Sequence, residues 1–297
     1  MNTVLESDQQ RRHSGAQADG SREVIIRRTR GLRFLDLREL WAYRELVFFL
    51  TWRDVKVRYK QTIIGVAWVI LQPLAMVVVF TLLFGKLAKM PSAGVPYPLF
   101  ALAALVPWQL FSRSISESTT SLVANQQLLA RVYFPRISVP LATTLAATVD
   151  FAIATGLLGV FMVVYRVAPT PAMIWFPAFV LLLLITALGV GFWLSALNIE
   201  YRDVMYVVPF LNQFWFFLTP VVYPGGLVPA QWRVLYGLNP MTGVVEGFRW
   251  ALLGTGEGPS HMLVVSVFIS CCLFISGIIW FRLRERTFVD AVGGGGR

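Results

Sequence analysis

Residues that carry chemistry are scarce in this chain. Of its 297 residues, two are histidine, His13 and His261, and two are cysteine, the adjacent pair Cys271 and Cys272. No HExxH, CxxC, GxSxG or paired-acid pattern stands at a useful spacing, so the motifs for metal, thiol-redox and nucleophilic chemistry are missing. The phosphate-binding pattern GxxxxGK[ST] is missing as well, which removes nucleotide hydrolysis on such a loop. The two cysteines lie inside an apolar run. Neighbouring cysteines rarely bridge, and none of the spacings suits a metal, so they read as small packing residues. Charge is thin too: 14% of the chain is Asp, Glu, Lys or Arg, against roughly 25% in an average soluble domain. A membrane enzyme would need acidic, histidine or serine groups converging at one interface, and none converge here. No catalytic residue and no metal ligand is expected.

Apolar residues are plentiful. They make up 56% of the chain and cluster into runs near the roughly 20 residues a helix needs to cross hydrocarbon. A large soluble helical core would need polar outer faces, and several runs have none. The chain therefore reads as an all-α integral membrane protein with six transmembrane helices, at about 63–84, 97–111, 137–164, 174–197, 204–222 and 262–281. Gln72-Pro73, near the middle of the first, marks a kink. The second is apolar only to Phe111 and is expected to continue as a polar helix through Ser112–Leu129. The fourth and fifth are joined by the short polar loop Asn198–Asp203.

The net charge of +10 looks at first like a nucleic-acid footprint, yet 13 of the 26 Lys and Arg lie before residue 61, among eight acidic residues. No groove-reading or base-stacking motif accompanies them, so the bilayer is the expected partner and nucleic acid is not. Segments 1–62, 112–136, 198–203 and 282–297 carry twenty-one Lys and Arg; the alternate segments carry five, namely Lys86, Lys89, Arg166, Arg233 and Arg249. The positive-inside rule then puts both ends in the cytoplasm. Residues 1–35 are polar, lack the look of a secretory leader and are expected to be a disordered cytoplasmic tail. The glycine-rich 291–297 reads as a flexible end.

Between the first of these tails and the first span lies an expected amphipathic helix, 36–60. Asp36 and Glu39 fit a capping box. Leu37, Trp41, Phe48, Trp52, Val55 and Tyr59 share one face, while Arg44 and Arg58 break the pattern. Such a helix suits the membrane interface or the protein's own cytoplasmic surface. The segment Tyr223–His261 is too broken by Pro and Gly to span and too apolar for water, so short re-entrant helices are expected there. Asp150 is the one acidic residue deep in a span. It is expected to be a structural polar contact, with Asp150→Asn nearly silent; an ion-coupling site is the alternative.

Several short motifs keep a characteristic order: Arg53-Asp54-Val55-Lys56-Val57-Arg58-Tyr59-Lys60 into Ile64-Gly65-Val66-Ala67-Trp68, Gln72-Pro73-Leu74, and Pro107-Trp108. Asn125 with Leu128-Leu129 follows, then Val132-Tyr133-Phe134-Pro135-Arg136 and Asn198 with Tyr201-Arg202-Asp203. Asn239-Pro240-Met241-Thr242 with Phe248-Arg249, and Glu285-Arg286-Thr287-Phe288-Val289-Asp290, close the series. From about residue 36 the chain resembles the membrane-spanning subunit of ABC-2 type exporters of cell-surface polysaccharides, the group of O-antigen, capsule and teichoic acid permeases.

That resemblance implies an ABC-2 type transmembrane domain over 36–290, in the bacterial inner membrane, that forms a homodimer. It implies two copies of a separate nucleotide-binding subunit carrying the ATP and Mg, no cofactor on this chain, and a lipid-linked polysaccharide such as O-antigen as substrate. An ABC-2 exporter of lipids or drugs and an ion-coupled secondary carrier are the alternatives. The resemblance also assigns roles. Trp68, Phe80, Phe84, Phe214, Trp215, Phe216 and Tyr223 are candidates for the substrate path. Gln126, Leu129, Arg131, Phe134, Pro135, Arg136 and Arg202 are candidates for contact with the ATPase subunit. Trp232, Tyr236, Asn239, Pro240 and Arg249 are candidates for an outer gate.

Overall fold

Each long apolar run folds as a helix, because hydrocarbon leaves backbone N–H and C=O groups no partner but each other. In the computed structural model the residues described are 37–60, 65–255, 258 and 260–285. The expected tails 1–35 and 291–297, and the cap at Asp36, lie outside them. Among the described residues eleven α-helices follow in order: α1 (Leu37–Ala42), α2 (Arg44–Lys60), α3 (Ala67–Phe80), α4 (Tyr97–Ala124), α5 (Gln126–Arg131), α6 (Ser138–Val164), α7 (Phe176–Glu200), α8 (Val204–Leu218), α9 (Ala230–Tyr236), α10 (Pro240–Leu253) and α11 (His261–Glu285). No strand occurs among the described residues.

Among the described residues five helical stretches are long and apolar enough to cross a membrane: Ala67–Leu87, Tyr97–Ala124, Ser138–Val164, Pro171–Glu200 and His261–Glu285. The fifth expected span, 204–222, is shorter than its hydropathy suggests. Helix α8 has 15 residues and stops at Leu218, a rise of about 22 Å, because Pro220 supplies no N–H to extend it. The expected helix 36–60 is in two pieces that meet at Tyr43. The first span stays helical through Pro73 and widens to a π-helix only over Thr81–Leu87, a looser turn that often marks functional sites.

Helix α4 is the hub, packing against α3, α6, α7, α8 and α10. Its expected polar continuation is present as far as Ala124 and lies inside the protein, with Ser114, Ser118, Thr119 and Ser121 all buried. Small hydroxylated residues let helices approach closely and bond across the gap. Ser118 Oγ lies 3.2 Å from Thr143 Oγ1 and 3.3 Å from Thr144 Oγ1 on α6. Helices α7 and α11 meet by the same logic at two glycines. A Cβ on Gly277 would come within 2.5 Å of the Gly189 carbonyl oxygen.

Helix α10 is no span. It is nevertheless almost wholly buried, from Pro240 to Leu253. Asn239 caps it, accepting from Met241 N at 3.1 Å, Pro240 occupies its first turn, and Gly254 ends it with φ +66°. These are the preferred residues for a start and a stop. The region expected to be re-entrant thus holds two short helices, a largely exposed α9 and a buried α10.

Candidate functional site

Helix α2 meets the bundle mainly through residues off the expected apolar face. Val47 and Leu50 are buried against α6, whereas Trp41, Phe48 and Trp52 are exposed. The aromatic face is thus left free for a membrane interface, while the inward face carries Thr51 and Asp54 and ends at Arg58. Arg58, which breaks the amphipathic pattern, reaches between α4 and α6.

There it closes a ring of four charges. Arg58 Nη1 lies 2.9 Å from Asp150 Oδ2, and its Nη2 lies 2.6 Å from Glu117 Oε2. Arg113 completes the ring, with Nε 2.9 Å from Glu117 Oε1 and Nη1 2.5 Å from Asp150 Oδ2. Each acid touches both guanidiniums, so the quartet is neutral. The Tyr59 hydroxyl donates to the other Asp150 oxygen. Burial, together with that bond to the carboxylate, pushes the Tyr59 phenol up to about 12, so it remains a donor over the physiological range. A charge deep in a span is costly unless paired, and Asp150 has three such partners, Arg58, Arg113 and Tyr59. Its carboxylate is tied to two guanidiniums and a phenol.

The quartet forms one end of a cavity of about 1170 Å³. Along α3 and the π-helix that follows it the wall runs from Trp68 to Phe84, a rise of about 24 Å, most of the roughly 30 Å hydrocarbon core. Aromatic rings cover much of it. Phe80 stands 5.8 Å from Phe84 and 5.9 Å from Phe216, and Trp108 stands 5.4 Å from Phe216. Between rings and charges lie Gln72, Gln109, Ser112, Ser116, Asn212 and Gln213. Trp68 and Phe217 line the cavity and are 56% and 63% exposed, so it is open on that side.

Four of the seven expected path residues, Trp68, Phe80, Phe84 and Phe216, share this wall. The other three stand elsewhere. Phe214 is exposed and stacks on Phe210 at 6.4 Å. Trp215 turns inward, edge-on to Phe111 at 4.9 Å, and donates through Nε1 to Asn239 Oδ1 at 2.8 Å. The Tyr223 hydroxyl lies 2.6 Å from that of Tyr236. A helix turns about 100° per residue, so Phe214, Trp215 and Phe216 point three ways.

Six of the seven residues expected to face an ATPase subunit lie between Gln126 and Arg136, with Arg202 apart, and they differ in exposure. Arg131 and Arg202 are exposed, Gln126 and Leu129 half-buried, and Phe134 and Pro135 buried. Phe134 joins a second apolar core with Leu50, Leu122, Ile137, Phe192 and Phe281. Arg136 is fastened to the end of α11: its Nη1 donates to the Glu285 carbonyl, and its backbone N to Glu285 Oε1, both at 3.1 Å.

The expected gate residues divide likewise. Trp232 is exposed. Asn239 Nδ2 donates to the Leu218 carbonyl at 3.1 Å and to Thr219 Oγ1 at 3.0 Å, while Oδ1 holds Trp215. Arg249 is only 1% exposed and donates to the carbonyls of Pro220 and Val221, at 2.6 Å each, and of Tyr223 at 3.2 Å. Glu246 lies 3.1 Å away, and the Phe100 ring sits 3.6 Å beneath the guanidinium. Together Asn239 and Arg249 fasten α10 to the chain that leaves α8.

Arg58, Arg113, Glu117, Trp108 and the carboxamides are what the sequence reading missed. The signals were a basic residue out of phase on α2 and a lone acid on α6, each needing a partner.

Comparison with known proteins adds an independent line. The family model described as "ABC-2 type transporter" matches residues 45–253. The chain is 27% identical over 259 residues to an O-antigen export system permease protein RfbA of Myxococcus xanthus, covering 86% of this chain and 98% of that protein. A protein of the same name from Klebsiella pneumoniae is 27% identical over 247 residues, covering 83% and 94%. The polysialic acid transport protein KpsM of Escherichia coli is 26% identical over 244 residues, covering 80% and 93%.

Proposed function

The chain belongs to the ABC-2 type transporter family, and from that premise we propose that it is the permease subunit of an exporter that moves a cell-surface polysaccharide, carried on a lipid, across the bacterial inner membrane. The observation that carries the reading is the aromatic cavity along α3. Sugar rings have apolar C–H faces that lie on aromatic faces, and hydroxyl rims that need donors and acceptors. Trp68, Phe80, Phe84 and Phe216 offer the first; Gln72, Gln109, Asn212 and Gln213 offer the second.

Energy comes from a separate nucleotide-binding subunit, two copies of which bind ATP and Mg and press on the cytoplasmic side. Residues near Gln126–Arg136, with Arg202, form the contact. Exposed Arg131 and Arg202 meet the motor, and Phe134 and Arg136 pass its push to α11 and α6. Both ends of the chain are cytoplasmic, as the distribution of basic residues favours. A second copy packs across the open side of the cavity, on the exposed faces of α3 and α8 that include Phe214. The segment α9–α10 then lies at the outer end and, with Trp232 and Tyr236, borders the exit. Trp215, Tyr223, Asn239 and Arg249 hold that segment to α8. Ion coupling at Asp150 is disfavoured, because two guanidiniums and a phenol hold the carboxylate.

Deleting the gene from its host tests this. Polymer is expected to collect in the cytoplasm and vanish from the surface. Unchanged surface polysaccharide with no internal polymer would contradict the assignment.

A further inference from the structure

We propose that the polymer is uncharged along its length: the cavity selects a neutral glycan and rejects a polyanionic one. This inference rests on the permease reading and narrows its substrate class. Arg58, Arg113, Glu117 and Asp150 are the charged side chains among the described residues of the wall, and they cancel in sign. They also cancel in space, each cation lying within 2.9 Å of both acids. The ring leaves the wall no net positive charge for an entering anion.

Elsewhere the wall is aromatic, aliphatic or a neutral amide or hydroxyl. Moving a carboxylate from water into such surroundings is costly without a cation to meet it. To use Arg58 or Arg113, it would have to displace Glu117 or Asp150, leaving that acid unpaired in turn. A neutral ring meets neither penalty. It lies on Trp68 or Phe216 and trades hydroxyl bonds with Gln72, Gln109 and Asn212, groups that both donate and accept. The neutral wall suits movement as well, since a polymer held by ion pairs at every repeat would leave slowly.

Two experiments test the proposal. In the first, the polymer stranded inside the deletion strain is hydrolysed and its sugars identified. Neutral hexoses, deoxyhexoses and N-acetylated sugars are expected. Uronic, sialic or phosphorylated residues in the repeat would overturn the inference while leaving the export assignment intact, whereas absence of stranded polymer would overturn both. In the second, the tryptophan fluorescence of the purified full-length permease is titrated with a short oligogalacturonate, a polyanionic glycan. The wild type is expected not to respond. Glu117→Gln, which gives the ring a net positive charge, is expected to bind at least about tenfold more tightly. Asp150→Asn makes the same change of charge and serves if the first variant is lost to misfolding. Equal binding by wild type and a folded variant, or binding by neither, would overturn the role given to the quartet.

Discussion

Asp150 lies 92 positions from Arg58 in sequence and 2.9 Å from it in space, a pairing that no local pattern announces. Asp150→Asn keeps a side chain of the same shape, but leaves Glu117 as the one carboxylate of the ring for two guanidiniums. Breaking a buried pair by removing one partner costs about 3–5 kcal/mol; Arg113 is 37% exposed, and solvent there reduces the penalty. A loss of about 2 kcal/mol is therefore expected, seen as a lowered Tm in detergent and a severalfold drop in export. A silent Asp150→Asn, the outcome the sequence alone favoured, would show the quartet to be dispensable. Arg249 offers a second test at this scale. Arg249→Met keeps much of the volume but leaves the carbonyls of Pro220, Val221 and Tyr223 without their donor and Glu246 without its cation. Buried unpaired groups cost about 1–3 kcal/mol each. Export is expected to fall at least in proportion to the folded protein recovered; export above wild type would mean that the arginine locks an opening segment.

At the scale of the element, hydropathy marked the long helices well. The runs 137–164 and 262–281 match α6 and α11 within a few residues, because a span must satisfy its backbone within itself. Helix α8 was overestimated, since Thr219–Tyr223 is as apolar as the helix before it yet leaves it at Pro220. The aromatic face of α2 was legible, but not that it points outward while Val47 and Leu50 pack inward. In a membrane protein an apolar face has two destinations, lipid and neighbour, and periodicity does not separate them. The path candidates suffered likewise: Phe216 and Trp215 are adjacent, and one lines the cavity while the other caps the core. For the coupling segment, Phe134→Ala with Arg136→Ala removes both its anchor in the second apolar core and its side-chain tie to the Glu285 carbonyl. Uncoupling is expected: ATP hydrolysis by the assembled transporter persists while export falls about tenfold. Normal export per ATP in that double variant would remove this segment from the route of force.

Across the whole molecule, the resources of the sequence match those of a conduit. It has a hub helix, α4, whose polar half is buried, a cavity running along α3, and no phosphate-binding loop. The Asn239 and Arg249 bonds tie α10 to the end of α8 and the chain that leaves it. The central claim is that the glycan travels along the cavity of α3. A photoreactive residue at Met76, on the cavity wall, and another at Phe268, on the exposed face of α11, test it in the working transporter. Illumination during export is expected to attach polysaccharide at position 76 and none at 268. Continued export with no glycan attached at 76, or with attachment at 268 instead, would contradict the account.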